Sequence, residues 1–408
     1  MPGSADDTYD LVKRPVPDGT GAAPSVVDIA IEGDRIVEIG SDLEGDESID
    51  CTGRLVNPGL IDCHGHFMAD GDFSANTHLG TPFSMNFFQA AERMQRALAC
   101  GVTTVREAGG ADLGVKEAQE LGLIAGPQMQ LSITILSRIE GHGDGWAVCG
   151  AHMPGMMGEH PGRPNNIVDG PEEMRKKVRE LIRAGADVIK VCTSGGVISK
   201  RDDPQHAHFM ADELDELVAE PTAVGRFVMA HAQAMDGIKS AIRARIRSIE
   251  HGIYLDDEAI QMMLDTGTYL VLTLIAPLGV LEAADRSVEL PAVILDKCRA
   301  VIDVHHESIR KAIDAGVNVA MGTDSGVTPH GQNLRVAERA MADLGMSPTA
   351  VFESSTRIVA ELMGVDSDLG TLEVSKLADA VMFSGTDLDV SNLHPRVERV
   401  FQAGDRVA

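Results

Sequence analysis

The 408-residue chain has no surplus of positive charge, no closely paired cysteines and no long apolar run. Its 35 basic residues face 62 acidic ones, for a formal net charge of −27. Such a surface repels phosphate backbones and anionic lipids, so neither nucleic acid nor membrane is an expected partner. The acidity reads first as a well-solvated surface that resists aggregation. The six cysteines, at 51, 63, 100, 149, 192 and 298, include no CxxC pair. A chain of this size needs no disulfide staples, so reduced thiols and a cytoplasmic location are expected. No apolar stretch approaches the ~18–20 residues of a membrane span. The opening MPGSADDTYDLVKRPVPDG carries no apolar signal region. No low-complexity tract or solenoid repeat is present. With 44% hydrophobic and 24% charged residues, the composition is that of a globular chain with ample core material.

Residues 25–57 read as short strands alternating apolar and polar positions between Gly and Asp turns. The last stretch, ADAVMFSG and RVERVFQAGDRVA, reads the same way. Neither end can bury a core alone, and pairing them into one small β-sandwich solves that. Between them, strands are expected at Leu60–His66, Thr103–Glu107, Met129–Ile135, Val188–Cys192, Phe227–His231, Ser248–His251, Tyr269–Thr273 and Val317–Asp324. Helices fill the gaps. Phe87, Ala91, Met94 and Leu98 form an i, i+4, i+7, i+11 stripe closed by Gly101, and Pro171–Ala184 opens on a helix-starting proline. Eight strand–helix repeats predict an α/β chain with a (β/α)8 TIM barrel over 60–369. Residues 1–59 and 370–408 form the β-sandwich. An open doubly wound sheet is the rival architecture. Residues 136–170 exceed the ~12–15 residues of an ordinary connection. This glycine-rich stretch carries His142, Trp146, His152 and His160, and reads as a lid over the site or a surface loop.

The main chemical signal is Asp62-Cys63-His64-Gly65-His66 at the end of the first strand. Residues two apart on a strand face the same way, so His64 and His66 both point into the barrel mouth and make half a metal site. Lys190 lies inside an apolar strand. Burial disfavours its ammonium, and a neutral amine can add carbon dioxide to become a two-oxygen carbamate able to bridge metal ions. The alternative is an ion pair with a neighbouring carboxylate. The chain holds only ten lysines, so one inside a strand looks chosen for chemistry. His231 and His251 end the fifth and sixth strands. Either alone could be a satisfied core histidine. Asp324 ends the eighth, where a carboxylate can bind metal and accept a proton from water. All six sit at or near strand carboxyl ends, where barrels carry their catalytic groups.

This set is similar to the amidohydrolase superfamily, over nearly the whole chain. The likeness includes Asn57-Pro-Gly-Leu-Ile-Asp62, Gly101-Val-Thr-Thr-Val-Arg106 and Gly370–Asp379. Ile189-Lys-Val-Cys-Thr-Ser-Gly-Gly196 and Gly141-His-Gly-Asp144 most resemble its prolidase-like branch. Members of that branch hydrolyse dipeptides, N-acyl amino acids and amide toxins. Related enzymes split urea and thiocarbamate herbicides. Imidazolonepropionases, also relatives, bind one metal and lack the bridging lysine, so Lys190 argues against that assignment.

The resemblance implies a binuclear site. His64, His66 and Asp324 would hold one divalent ion, His231 and His251 the other, and carbamylated Lys190 would bridge them. Zinc is expected, with cobalt or manganese as alternatives. A bridging hydroxide would attack an amide or peptide carbonyl in a small-molecule substrate, and Asp324 would pass its proton to the leaving amine. His142 matches the branch's HGD histidine, which reaches the substrate oxygen; otherwise it is a plain loop residue. Some members carry His-Ala-Tyr after the fifth strand, where this chain has His231-Ala-Gln233. Arg106, Arg138, Lys200 and Arg201 near the mouth could pair a substrate carboxylate, but read first as solvated charges. Cys63 reads as core, with Cys192 open. Met153, Met156 and Met157 would wall the substrate or pack the loop. A homo-oligomer is expected by resemblance. The alternative chemistry on this scaffold is hydrolysis of a carbamate, thiocarbamate, urea or lactone. A catalytically dead binding barrel is disfavoured because all six positions are intact.

Overall fold

The computed structural model describes residues 8–16, 19–21, 25–71, 80–150, 160–199, 201–286 and 290–408, with 8–16 by their backbone. It opens with β1 (Thr8–Val16), β2 (Ser25–Glu32), β3 (Arg35–Gly40), β4 (Glu47–Asp50) and β5 (Arg54–Pro58). Strands and helices then alternate: β6 (Leu60–Gly65), α1 (Met85–Ala99), β7 (Val102–Glu107), α2 (Leu113–Glu120), β8 (Gln128–Leu131) and β9 (Ile135–Leu136). Next come α3 (Pro171–Arg183), β10 (Val188–Cys192), α4 (Ala211–Thr222), β11 (Phe227–Ala232), α5 (Met235–Arg243) and β12 (Ser248–His251). The series ends with α6 (Asp257–Thr266), β13 (Tyr269–Leu272), α7 (Ala276–Asp285), α8 (Ala292–Ala315) and β14 (Val319–Met321). Helices α9 (Leu334–Leu344), α10 (Pro348–Ser354) and α11 (Arg357–Met363) lead to β15 (Ala380–Ser384), β16 (Val397–Gln402) and β17 (Asp405–Arg406).

Parallel pairing runs β6-β7-β8 and β9 through β14. Hydrogen bonds join the two runs on both sides. The Asp187 N–H donates to Leu131 O at 2.7 Å, and the Leu131 N–H to Asp187 Oδ2 at 2.9 Å. At the other seam the Cys63 thiol donates to Met321 O at 3.0 Å, and the Asp324 N–H to His64 O at 2.7 Å. The result is a (β/α)8 barrel. Its strands are buried on both faces, which is why they read as near-continuous apolar runs broken only by functional residues.

The terminal segments build two four-stranded sheets, β3-β2-β1-β4 and β17-β16-β15-β5. Strand alternation divides their side chains between two cores. Val56, Ala380, Met382 and Phe401 pack with Ile29, Ile31 and Ile36 between the sheets. Leu55, Val381, Phe383 and Val400, one residue out of step, join the barrel's main core. The β-sandwich is thus welded to the barrel through β5, β15 and β16.

The structure departs from the sequence expectations in particular places. The third strand is broken into β8 and β9 at Ile133, whose φ is 68°. The eighth shortens to three residues, because Thr323 turns to hydrogen-bond Asp62 on the first strand. Strand β1 was not anticipated: Lys13-Arg14-Pro15 has no alternation and carries a proline. In α1 the buried face is Ala90, Met94, Ala97 and Leu98 together with Arg93, whose guanidinium donates to Phe67 O at 2.9 Å. Gly101, at φ 87°, ends that helix in the left-handed conformation glycine allows. Among the described residues no helix is long and apolar enough to cross a membrane.

Phe383 is fully buried at the weld. We expect Phe383→Ala to lower the apparent unfolding free energy by about 3–5 kcal/mol. Phe88→Ala, at a 70% exposed position, should stay within about 0.5 kcal/mol. Urea midpoints measure both.

Candidate active site at the carboxyl ends of the strands

His64, Lys190, His231, His251 and Asp324 come together with His66 at one end of the barrel, all buried. His64 Nε2 lies 3.5 Å and His66 Nε2 3.3 Å from Asp324 Oδ1. Among the described residues these three form a group whose ligand atoms all lie within 4.8 Å of one another. The Lys190 Nζ is 3.4 Å from His64 Nε2. The His64 and His251 rings are 5.3 Å apart between centroids, and those of His231 and His251 4.6 Å.

The partners behind these rings decide which nitrogens face the mouth. His66 Nδ1 is 2.8 Å from Gly109 O, and a carbonyl only accepts, so Nδ1 carries the proton and Nε2 the lone pair. His64 Nδ1 is 2.7 Å from the buried carboxylate of Glu250, with the same consequence. His231 Nε2 donates to Gly195 O at 3.2 Å, which frees Nδ1. His251 Nδ1 sits 2.7 Å from the Thr273 hydroxyl, beyond its strand-end backbone. Burial and the Lys190 charge push His64 well below the usual histidine range. Burial carries His251 down to about 3. These rings are neutral lone-pair donors, the form in which imidazole binds metal. Two lone-pair nitrogens and a carboxylate oxygen thus face one another with no proton between them, an arrangement that suits a cation.

Burial also lowers the Lys190 ammonium, opposed by the charges of Glu250 and Asp324. Asp324 Oδ1 faces the lone-pair nitrogens of His64 and His66 at 3.5 and 3.3 Å. Asp324 and His251 both adopt positive φ, 56° and 74°. Strain of about 1–3 kcal/mol per residue is characteristic of such positions. At His251 its use is visible. Ser248 and Glu250 share the inward face of β12, so strict alternation would send His251 outward with Ile249. The left-handed turn swings the ring back to His231.

Several working residues escaped the sequence reading. Glu250 lies beneath His64 and accepts from Arg106 Nη2 at 2.9 Å and the Ser248 hydroxyl at 2.6 Å. Arg106 is a correction: it is no solvated charge but fully buried, and its Nε also donates to Cys63 O at 2.7 Å. Period-two alternation on β7 and β12 would have put both residues inside; the Gly101–Arg106 motif includes Arg106 without giving it a role, and no motif marks Glu250. Asp62 ties the first and eighth strands, accepting from His64 N–H, Thr323 and Asn333. Cys63 and Cys192 are both buried. Arg138 is half-buried, and exposed Arg201 lies over the Trp146 ring at 4.7 Å.

The long loop is held to the strand-four loop at two points: Arg201 on Trp146, and His142 Nδ1 2.7 Å from Asp202 Oδ2. The His142 ring stacks on His231 at 4.3 Å, which brings His142 to the site's edge. His160 instead packs near Phe83, Phe87 and Asp112. Gln233 is buried beside His231, its N–H donating to the Ser194 hydroxyl at 2.7 Å. His152, Met153, Met156, Met157 and Lys200 lie outside the described residues.

An eight-stranded α/β barrel with histidine, lysine and carboxylate groups gathered at its strand ends has the form of a metal-dependent hydrolase scaffold. The chain belongs to the amidohydrolase family, whose sequence pattern matches residues 55–407. It is 34% identical over 303 residues to ochratoxinase of Aspergillus niger, covering 72% of this chain and 62% of that protein. It also superposes on the crystal structure of a Xaa-Pro dipeptidase with bound methionine in the active site. There the TM-score is 0.89 at 30% identity, covering 98% of this chain and 99% of the other. A prolidase complexed with N-methylphosphonate-L-proline matches at TM-score 0.87 and 30% identity, covering 98% and 99%. These likenesses put the chain on the prolidase-like branch of the superfamily.

Two outcomes follow. Arg106→Met would leave Glu250 charged and underpaired in the barrel, lowering stability by about 3–5 kcal/mol. The double variant Arg106→Met/Glu250→Met should recover part of that loss in urea unfolding. Burial also brings His208 and His305 down to about 4 from the ordinary 6.5. As pH falls, the unfolded state binds these protons first. Stability should therefore be full above pH 6.5 and decline toward pH 4, and His305→Asn should make the decline in urea midpoint shallower.

Proposed function

We propose that the protein hydrolyses an amide or peptide bond in a small-molecule substrate such as a dipeptide or N-acyl amino acid, using two divalent metal ions. The observation that carries this reading is the buried set of lone pairs on His64, His66 and Asp324 without a proton to separate them. The similarity to ochratoxinase and to a Xaa-Pro dipeptidase supports the bond class.

In this reading His64, His66 and Asp324 would hold one ion and His231 and His251 the other. Lys190 would help hold both as a carbamate, its neutral amine forming an N–C bond to carbon dioxide and releasing one proton. Zinc suits the mixed nitrogen and oxygen donors, with cobalt or manganese as alternatives. Bound divalent cations acidify water and polarise a carbonyl. The chain's own groups do the rest. Glu250 holds the His64 tautomer, and Gly109 O that of His66. The Asp324 carboxylate takes the proton of the attacking water and delivers it to the leaving nitrogen. His142 contacts the substrate carbonyl oxygen from the rim. A cytoplasmic homo-oligomer, with residues 1–59 and 370–408 as one domain around 60–369, completes the reading.

The test is a hydrolysis screen. Purified protein supplied with zinc or cobalt and bicarbonate meets pooled dipeptides and N-acyl amino acids, and released amino acid is read by mass spectrometry. Release well above a Lys190→Ala control supports the reading. Silence across every pool, with two metals bound, moves the chemistry to carbamate, thiocarbamate, urea or lactone substrates. Asp324→Asn should keep most of its metal and lose turnover by at least about 100-fold. An active asparagine variant would overturn the proton-transfer role.

A further inference from the structure

His142 is held on three sides, by Asp202, by Gly196 and by the ring of His231. Its Nδ1 lies 2.7 Å from Asp202 Oδ2. The same oxygen accepts the Gly196 N–H at 2.9 Å. Asp202 is almost wholly buried, its side chain 2% exposed. Burial raises its carboxyl, but the hydrogen bonds and charge it meets, from His142 first, hold it at about 2. It is therefore a carboxylate at neutral pH. One face of the His142 ring lies on His231, tilted only 16°. The backbone of Gly196 crowds the ring so closely that a Cβ there would come within 2.3 Å of Cε1. Gly196 is not in the left-handed region, so glycine is needed here for space rather than for conformation. Behind the loop, Lys297 of α8 donates to Ser199 O at 2.9 Å and stands 3.6 Å from Asp202 Oδ1.

We propose that Asp202 is the positioning residue for His142: its carboxylate keeps Nδ1 protonated and holds the ring flat against His231, leaving Nε2 to face the substrate. The chemistry follows from the donor rules. A carboxylate only accepts, so Nδ1 must carry a proton. Nε2 has no protein partner among the described residues and is the ring's free nitrogen. To donate to a carbonyl oxygen it must carry a second proton, and Asp202 then balances the imidazolium charge. The barrel residue and the lid-side residue lie 60 positions apart, on the loops after β9 and β10. The inference rests on the proposed function in one respect, that His142 faces the substrate.

Two readouts test it. In zinc-loaded protein, long-range 1H–15N spectra report which ring nitrogen is protonated, with the His142 signals assigned by their absence in His142→Gln. The wild type should show a protonated Nδ1, and Asp202→Asn should lose or mix that tautomer. On any substrate turned over in the screen, Asp202→Asn and Gly196→Ala should each lower kcat by about 10–100-fold with KM within a few-fold. Metal content and thermal midpoint should stay near wild type, which separates positioning from a folding defect. Gly196→Ala supplies the second route, since its added Cβ displaces the ring while the Asp202 carboxylate and the backbone N–H that donates to it are kept. An unprotonated Nδ1 in the wild type overturns the proposal, as does full kcat in Asp202→Asn. If His142→Gln loses kcat while Asp202→Asn does not, the positioning role falls and the proposed function stands. If His142→Gln keeps full kcat, the positioning role falls as well. If no substrate is turned over, the proposed function falls, and the tautomer alone decides whether Asp202 sets the ring.

Discussion

Inside the barrel a guanidinium and a carboxylate are held together out of water, Arg106 Nη2 2.9 Å from Glu250 Oε1, both side chains fully buried. Removing either partner leaves a charge without compensation, so each is obligatory once the other is present. The second carboxylate oxygen is committed to His64 at 2.7 Å. Arg106 also reaches Cys63 O, on the strand that carries His64 and His66. The pair therefore joins the first, second and sixth strands and sets the direction of a site histidine at once. The orientation of the mouth depends on a polar contact made beneath it.

A second constraint acts on the backbone. The first and eighth strands approach through Asp62, Thr323 and the Asp324 N–H, so the eighth strand leaves its regular ladder early. Asp324 is delivered to the histidines in a left-handed conformation. His251 is re-aimed in the same way. The site thus trades regular strand geometry for convergence, which accounts for the short β14 and the turned end of β12.

Much of the plan was legible in the sequence. The apolar strands, their alternation with helices and the sandwich-forming ends are local patterns, and the barrel follows from their number. His64 and His66 announce themselves because two histidines two residues apart on one strand share a face. Lys190 stands out because an ammonium does not belong in an apolar strand. Glu250 and Arg106 did not stand out. Each reads as an ordinary charge next to a strand end, and only their pairing across 144 residues shows why burial is tolerated. Asp202 was unreadable for the same reason: its loop touches His142 only after two barrel strands lie side by side. Strand β1 was missed because its pairing partners, rather than its own composition, make it a strand.

The sequence alone determined the fold class, the strand ends at which the histidine, lysine and carboxylate groups gather and the residue types available there. Those properties depend on periodicity and residue identity, which neighbours along the chain already contain. The tertiary structure decided which ring nitrogen faces the mouth, which carboxylate is a partner rather than a site group, and which surface-looking arginine is buried. Each of these depends on a contact between distant segments, and hydrogen-bond direction exists only once donor and acceptor have been brought within about 3 Å.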